Sequence, residues 1–259
     1  MKTLARTKEK GLWLAPLLTA LILWELAARY VIKNPAILPR FSDVIFSFYM
    51  LREDIILDIL VSLLHFGIGL TLAFSVALPL AIGMGWFRNV FKAVDPIVEI
   101  LRPIPPLAWI PIAMVWFHLT HYAAGFIIFL GAFFPILIAS YTGFRDVPKV
   151  LVETGKVLGC IGDKNLIKYV AFPYALPSVA TGTRVGMGVG WMCVVAAEMF
   201  GVSKNGLGFR LFNEFYWLHQ MDYVVAYMLI LGLVALCLDR LFRHFVEDKL
   251  FKWKKGMVK

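Results

Sequence analysis

The chain has 259 residues, 60% of them apolar and 17% charged, with a formal net charge of +9. Average usage is about 45–50% apolar and about 25% charged, so this composition excludes an ordinary soluble domain and places the protein in a bilayer. The three cysteines, Cys160, Cys193 and Cys237, are scattered and lack metal-ligand spacing, which makes them small apolar side chains rather than a disulfide or metal set.

A transmembrane helix needs roughly 20 mostly apolar residues. Six segments qualify, at about 12–31, 57–85, 94–116, 122–141, 178–200 and 223–241. The first is too long for a signal-peptide core and has no convincing cleavage site, so it is expected as a helix. After it, Asn34-Pro35-Ala36-Ile37-Leu38-Pro39 reads as an extended linker, because each Pro fixes its own φ and disfavours helix before it. Ser42 or Asp43 is then expected to cap a short helix to about Leu51 along the outer surface.

Orientation follows from Lys and Arg. With the N-terminus inside, eighteen of these residues fall on the cytoplasmic side, among them Lys2, Arg88, Lys92, Arg145, Lys149 and Lys259. Only Lys33, Arg40, Arg52, Lys204 and Arg210 face out. Both termini are therefore expected in the cytoplasm. The basic tail Lys252-Trp253-Lys254-Lys255 suits anionic lipid head groups better than nucleic acid. No repeat or low-complexity tract divides the chain. The expected fold class is an all-α polytopic membrane protein of six helices, one transmembrane domain over 1–259.

The third segment carries Pro103, Pro105, Pro106 and Pro111, and four prolines this close preclude an undistorted helix. Irregular backbone at membrane depth needs protein or a water-filled cavity to satisfy it. Arg102, Pro103, Pro105, Pro106 and Trp109 are thus expected to face the bundle interior or a translocation pathway, with Arg102 the best contact for an anion. Other ionisable residues in or near spans are His65, Glu99, Arg184 and Glu198. A charge at the bilayer centre costs about 2.5–3.5 kcal/mol on insertion scales, so each should find a partner or water. Arg184 is expected to snorkel to lipid phosphates, Glu198 to pair with Arg210 or orient the outer mouth of the pathway, and His65 to make a structural polar contact.

The loop at about 142–177 begins Asp146-Val147-Pro148, where Pro148 suits a first helical turn. Val150, Leu151, Val157 and Leu158 form an apolar stripe at helical spacing beside Lys149, Glu153 and Lys156. Gly155 weakens this helix by about 1 kcal/mol relative to Ala, and Gly159 ends it. Asn165 to Phe172 leads back to the membrane and is expected to stop at Pro173. A short amphipathic helix presented this way can enter a hydrophobic groove on another protein.

This loop, with Glu153, Gly159, Val170 and Pro173 followed by Leu176-Pro177, resembles the EAA coupling loop of ABC importer permeases. Thr154 and Gly155 stand where that family carries two Ala, and the Pro lies one residue further from the Gly. Leu101 to Pro111, and Glu198-Met199-Phe200-Gly201 with Asn205-Gly206-Leu207-Gly208, resemble the nitrate/sulfonate/taurine-type permeases, and the similar blocks span roughly 36 to 245. His65 stands where that pattern carries Arg. The resemblance implies the type I importer fold and a permease subunit in the plasma membrane carrying a small anion or zwitterion. It implies coupling to two separate ABC ATPase subunits through Glu153, Thr154, Gly155, Leu158, Gly159 and Pro173. It further implies a second copy of the chain, an extracytoplasmic substrate-binding protein, and relatives that carry thiamine precursors. The chain lacks a phosphate-binding loop of the Gly-x-x-x-x-Gly-Lys-Ser/Thr type, so ATP and Mg are expected on the partner ATPase, with no cofactor or metal here.

Two other classes compete. A secondary carrier driven by an ion gradient keeps its coupling-ion site near the midplane, where Glu25 is the one plausible carboxylate. A membrane enzyme needs a clustered constellation, and His118 with His121 lacks a matching carboxylate or Cys. Neither class has a use for the coupling loop.

Overall fold

The computed structural model describes residues 15–16 and 18–248, and its regular structure is entirely helical within that range. Helix α1 covers 18–26 and widens into a π-turn at Ala27–Ile32. The chain continues through α2 (Phe41–Met50), α3 (Arg52–Trp86), α4 (Arg88–Leu101), α5 (Ile110–Phe117) and α6 (His121–Arg145). It ends with α7 (Lys149–Val157), α8 (Asp163–Met199), α9 (207–216) and α10 (Met221–Val246).

Four of these helices, α3, α6, α8 and α10, are long and apolar enough to cross a membrane. A fifth span arises if the bent pair Arg88–Leu101 and Pro106–Phe117 is counted together. The six-helix expectation meets this set in part. Its first segment falls on α1 from residue 18, while residues 12–14 and 17, the amino-terminal cations and the basic tail after 248 lie outside the described residues.

The third span is bent by 88° where the prolines cluster. Pro105 is extended at ψ 137°, and Pro106–Trp109 form one 3₁₀ turn before α5 begins. Isolated prolines elsewhere are absorbed without a break, at Pro79 in α3, Pro135 in α6 and Pro177 in α8. The expected stop at Pro173 is corrected by the same comparison. Helix α8 starts at Asp163 and runs through Pro173, because a π-turn at Ile167–Ala171 precedes it. Phe172 N–H donates to Ile167 O, five residues back, and this wider turn removes the clash a Pro ring makes with the carbonyl four residues earlier. At 37 residues and 1.5 Å per residue, α8 is about 55 Å long and reaches well past a hydrocarbon core of about 30 Å.

Helix α6 sits between α3 and α8, and small residues set the separation. A Cβ added at Gly69 would lie 2.5 Å from Ile128 Cβ, and one at Gly182 would lie 2.7 Å from Ala139 Cβ. Lipid tails offer no hydrophobic gain for helix association, so such close backbone approach and the packing it permits hold membrane helices together. Gly186→Leu is accordingly expected to cost about 3 kcal/mol, since overpacking against a rigid neighbour forces backbone shifts. Its Cβ would meet Ala132 O at 2.9 Å and Ile136 Cγ1 at 2.8 Å. Thermal unfolding of the purified variant in detergent, with its gel-filtration profile, checks this.

Helix α2 forms as expected but without its expected cap. Arg40 occupies the cap position with no side-chain bond, and Ser42 turns instead to Glu25 of α1, its N–H at 3.2 Å and Oγ at 3.3 Å from that carboxylate. Ser47 Oγ–H donates to Asp222 Oδ2 at 2.8 Å, tying α2 to the start of α10.

Candidate functional site

At one end of the bundle, α7 stands between α6 and the start of α8. Pro148 is its N-cap, and its carbonyl accepts from Leu151 N–H at 3.0 Å. The helix stops in a Schellman arrangement, with Gly159 N–H on Lys156 O at 3.1 Å and Cys160 N–H on Gly155 O at 2.9 Å. Gly159 takes φ 93°, a conformation other residues adopt only with strain. Gly155 is buried, and a Cβ there would lie 2.8 Å from Val170 Cγ2, so the residue that weakens the helix is also what lets it dock on the π-turn of α8.

The apolar stripe read from the sequence points away from the protein. Val157 is 87%, Leu158 79% and Ile161 81% exposed, and Glu153 and Thr154 are exposed beside them. Pro173, nearly three turns into α8, is exposed and lies on that helix rather than on α7. Trp86 Nε1–H donates to Asp163 Oδ1 at 3.1 Å, and Phe144, Ala171, Ala175 and Val179 form a buried cluster behind the same corner. The exposed apolar edge is thus mounted on a packed base.

Two cavities flank the bend in the third span, and Arg102 lines both. One, of about 450 Å³, is otherwise mostly apolar, with Ile104, Pro106, Phe134, Pro135 and Val185 in its wall. The other, of about 700 Å³, also carries Pro103, Glu99, Asp95 and Tyr141. Pro105 is exposed, and Trp109 packs against the main apolar cluster at the opposite end from α7. The proline segment therefore borders open volume on both sides, as backbone irregularity at this depth requires.

Glu198 lines neither cavity. It is fully buried at the far end of α8, where Oε1 lies 2.8 Å from His65 Nδ1 and Oε2 accepts from Ser62 Oγ–H at 3.0 Å and Gly208 N–H at 2.8 Å. Its expected pairing with Arg210 does not form. Arg210 instead gathers Asp54 at 3.0 Å, Asp58 at 3.2 Å and Glu214 at 2.9 Å. Partial burial works to lower the Arg210 pKa, but Asp58, Glu214 and Asp54 outweigh it and hold the guanidinium above its ordinary value. Arg184 is likewise engaged by protein, in a bidentate pair with Asp239 of α10 at 2.6 and 3.0 Å.

Sequence reasoning missed Asp58, Ser62 and Tyr227. Asp58 is fully buried, with Oδ1 accepting from Gly206 N–H at 3.0 Å and Oδ2 from Tyr227 O–H at 2.7 Å. A charged residue at the edge of an apolar span was the available signal. Glu25, expected as the one plausible midplane carboxylate of a carrier, pairs with Arg29 at 2.8 Å, while Asp58 and Glu198 are the carboxylates that are fully buried.

The matching family model is the binding-protein-dependent transport system inner membrane component, over residues 67–249. A protein named as an ABC transporter permease in Methanocaldococcus jannaschii is 46% identical over 257 residues, covering 97% of this chain and 95% of the relative. The nitrate import permease protein NrtB of Synechocystis is 34% identical, covering 74% of this chain and 68% of its own length. The taurine transport system permease protein TauC of Escherichia coli is 33% identical, covering 69% and 64%. With its long apolar helices, its bent third span and a family match over most of its length, this chain belongs to the inner-membrane permease components of binding-protein-dependent ABC transport systems.

Proposed function

We propose that the chain is the permease subunit of an ABC importer in the plasma membrane, working as a homodimer with two separate ATPase subunits and an extracytoplasmic binding protein. The observation that carries this reading is the exposed apolar edge of α7, Val157, Leu158 and Ile161, on a helix clamped at Gly155 and capped at Gly159. Such an edge suits a groove on a partner, and Glu153 and Thr154 lie beside it to fix orientation. One chain supplies one such helix, so two ATPases call for two chains. ATP-driven approach of the ATPases would move the two α7 helices together and reorient α6 and α8 through their packed base. In this topology α7, both termini and the basic tail face the cytoplasm, and the whole chain works as one transmembrane domain.

The cargo fits a small anion or zwitterion of the nitrate, bicarbonate, taurine or sulfonate class. Arg102 supports this, because it lines two cavities beside the bent span. Pro103, Pro105, Pro106 and Trp109 shape that passage, whereas Glu198 acts from a buried position. The binding protein would do most of the selecting.

Affinity purification of the tagged chain from its native membrane, followed by mass spectrometry, tests the assembly. An ABC ATPase is expected in equimolar amount. A preparation without any ATPase that still accumulates solute in vesicles would instead establish an ion-driven carrier.

A further inference from the structure

At the end of the bundle opposite α7, the start of α9 is held by an unusual set of bonds. Three consecutive backbone amides each meet a side chain from a long helix. Gly206 N–H reaches Asp58, Leu207 N–H reaches Ser62 Oγ at 2.9 Å, and Gly208 N–H reaches Glu198. Gly206 sits at φ 130°, and a Cβ there would lie 2.8 Å from the Glu198 carboxylate, so nothing larger fits this seat. Asp58, Ser62 and Glu198 are all fully buried. The docking of the whole segment 200–216 therefore depends on two buried carboxylates staying charged and hydrogen-bonded.

The two carboxylates are balanced differently. Asp58 has Arg210, a permanent cation whose Nε lies 3.2 Å from Oδ2. Glu198 has only His65, on its Oε1. The other ring nitrogen of His65, Nε2, lies 2.7 Å from Nδ1 of His121, the first residue of α6. His65 is fully buried and His121 is exposed. A chain of hydrogen bonds thus runs from solvent through His121 and His65 to Glu198. The other charged groups around it are Asp54 and Asp58 on α3 and Arg210 and Glu214 on α9, with the phenol of Tyr227 from α10 on Asp58.

We propose that His65 and His121 hold one shared proton as the counter-charge of Glu198, and that this makes docking of segment 200–216 depend on the pH of the solution that His121 meets. Histidine is the side chain whose charge ordinarily changes between about pH 5 and 8. With one proton on the pair, His65 Nδ1–H donates to Glu198, a single N–H bridges His65 Nε2 and His121 Nδ1, and each buried carboxylate faces a cation. When that proton leaves, the hydrogen bonds persist but Glu198 is a buried anion without counter-charge. When a second proton arrives, two charged imidazoles face each other N–H to N–H at a distance only a donor and an acceptor can share, and the contact breaks. The docked state therefore holds more protons than the released one on the alkaline side and fewer on the acid side. Its stability peaks between the two limbs, and on each limb the docking equilibrium changes by up to about tenfold per pH unit.

Hydrogen exchange read by mass spectrometry on the peptide covering 200–209 measures docking directly and independently of uptake. It uses the full chain, purified with whatever subunits accompany it, between about pH 5 and 9. Protection factors, which divide out the intrinsic pH dependence of exchange, are expected to be highest near neutrality and to fall on both sides. His121→Gln still donates to His65 but cannot charge, so it should lose the acid limb. His65→Arg places a permanent cation beside Glu198 and should lose the alkaline limb. A flat profile in the native chain, or both limbs retained in both variants, overturns the proposal. If His65→Arg is not recovered as a monodisperse protein, the acid limb of His121→Gln, altered at an exposed position, decides the matter alone.

Discussion

Replacing Arg210 with Met is expected to lower the stability of the fold by about 3 kcal/mol, because removing one partner of a buried pair leaves the other charge uncompensated. Of the three carboxylates around this guanidinium, Asp54 and Glu214 have side chains 49% and 40% exposed and can be hydrated. Asp58 is fully buried, and without Arg210 it keeps only the Gly206 N–H and the Tyr227 O–H. The cost should fall on Asp58. Arg210→Met combined with Asp58→Asn is therefore expected to recover most of the loss, since Asn can accept from Gly206 N–H through Oδ1 and donate from Nδ2 to the Tyr227 hydroxyl oxygen while carrying no charge. Thermal unfolding of the two variants in detergent measures the difference. An unchanged midpoint for Arg210→Met would mean that α9 does not rely on this pair.

The second large effect concerns transport rather than stability. Val157→Asp with Leu158→Asp is expected to reduce ATP-dependent uptake to background while the chain still inserts and purifies normally. Both side chains are almost wholly exposed, so the fold loses no packing. A partner groove would lose two apolar contacts and gain two charges it must desolvate, which costs several kcal/mol at a fully closed interface. Glu153→Lys should act in the same direction by reversing a charge at the edge of that contact. Uptake in vesicles and retention of the ATPase on the tagged chain are the two readouts. Normal uptake by the double variant would remove α7 from the coupling path.

The composition and the spacing of apolar runs were enough to place the chain in a membrane and to locate its long helices, because a bilayer accepts few other solutions. The bend at Pro103 to Pro106 was legible for the same reason: a cluster of missing donors has a local consequence. So was the end of α7 at Gly159, where a left-handed cap needs a residue without a side chain. These features follow from interactions within a few residues of one another.

Pro173 shows the limit of local reasoning. Read alone it ends a helix, yet the π-turn before it lets α8 continue, and that turn is also the surface on which Gly155 packs. The buried network shows the limit more plainly. Glu198 and His65 were each visible as costly polar groups, and His65 makes the polar contact expected of it, but the pairing of Glu198 with Arg210, one of the two roles expected for Glu198, does not form. The choice between Arg210 and His65 for Glu198 rests on how α3, α8 and α9 meet, over separations of 133 residues and more. Asp58 was passed over although its charge at the edge of an apolar span was in plain sight. Sequence by itself thus determined the solvent, the long helices and the short helix α7 with its apolar stripe, all properties of local pattern. Which ion balances which buried charge was decided only in the tertiary structure, because inside a low-dielectric bundle each charge answers to whatever the packing brings within hydrogen-bond reach.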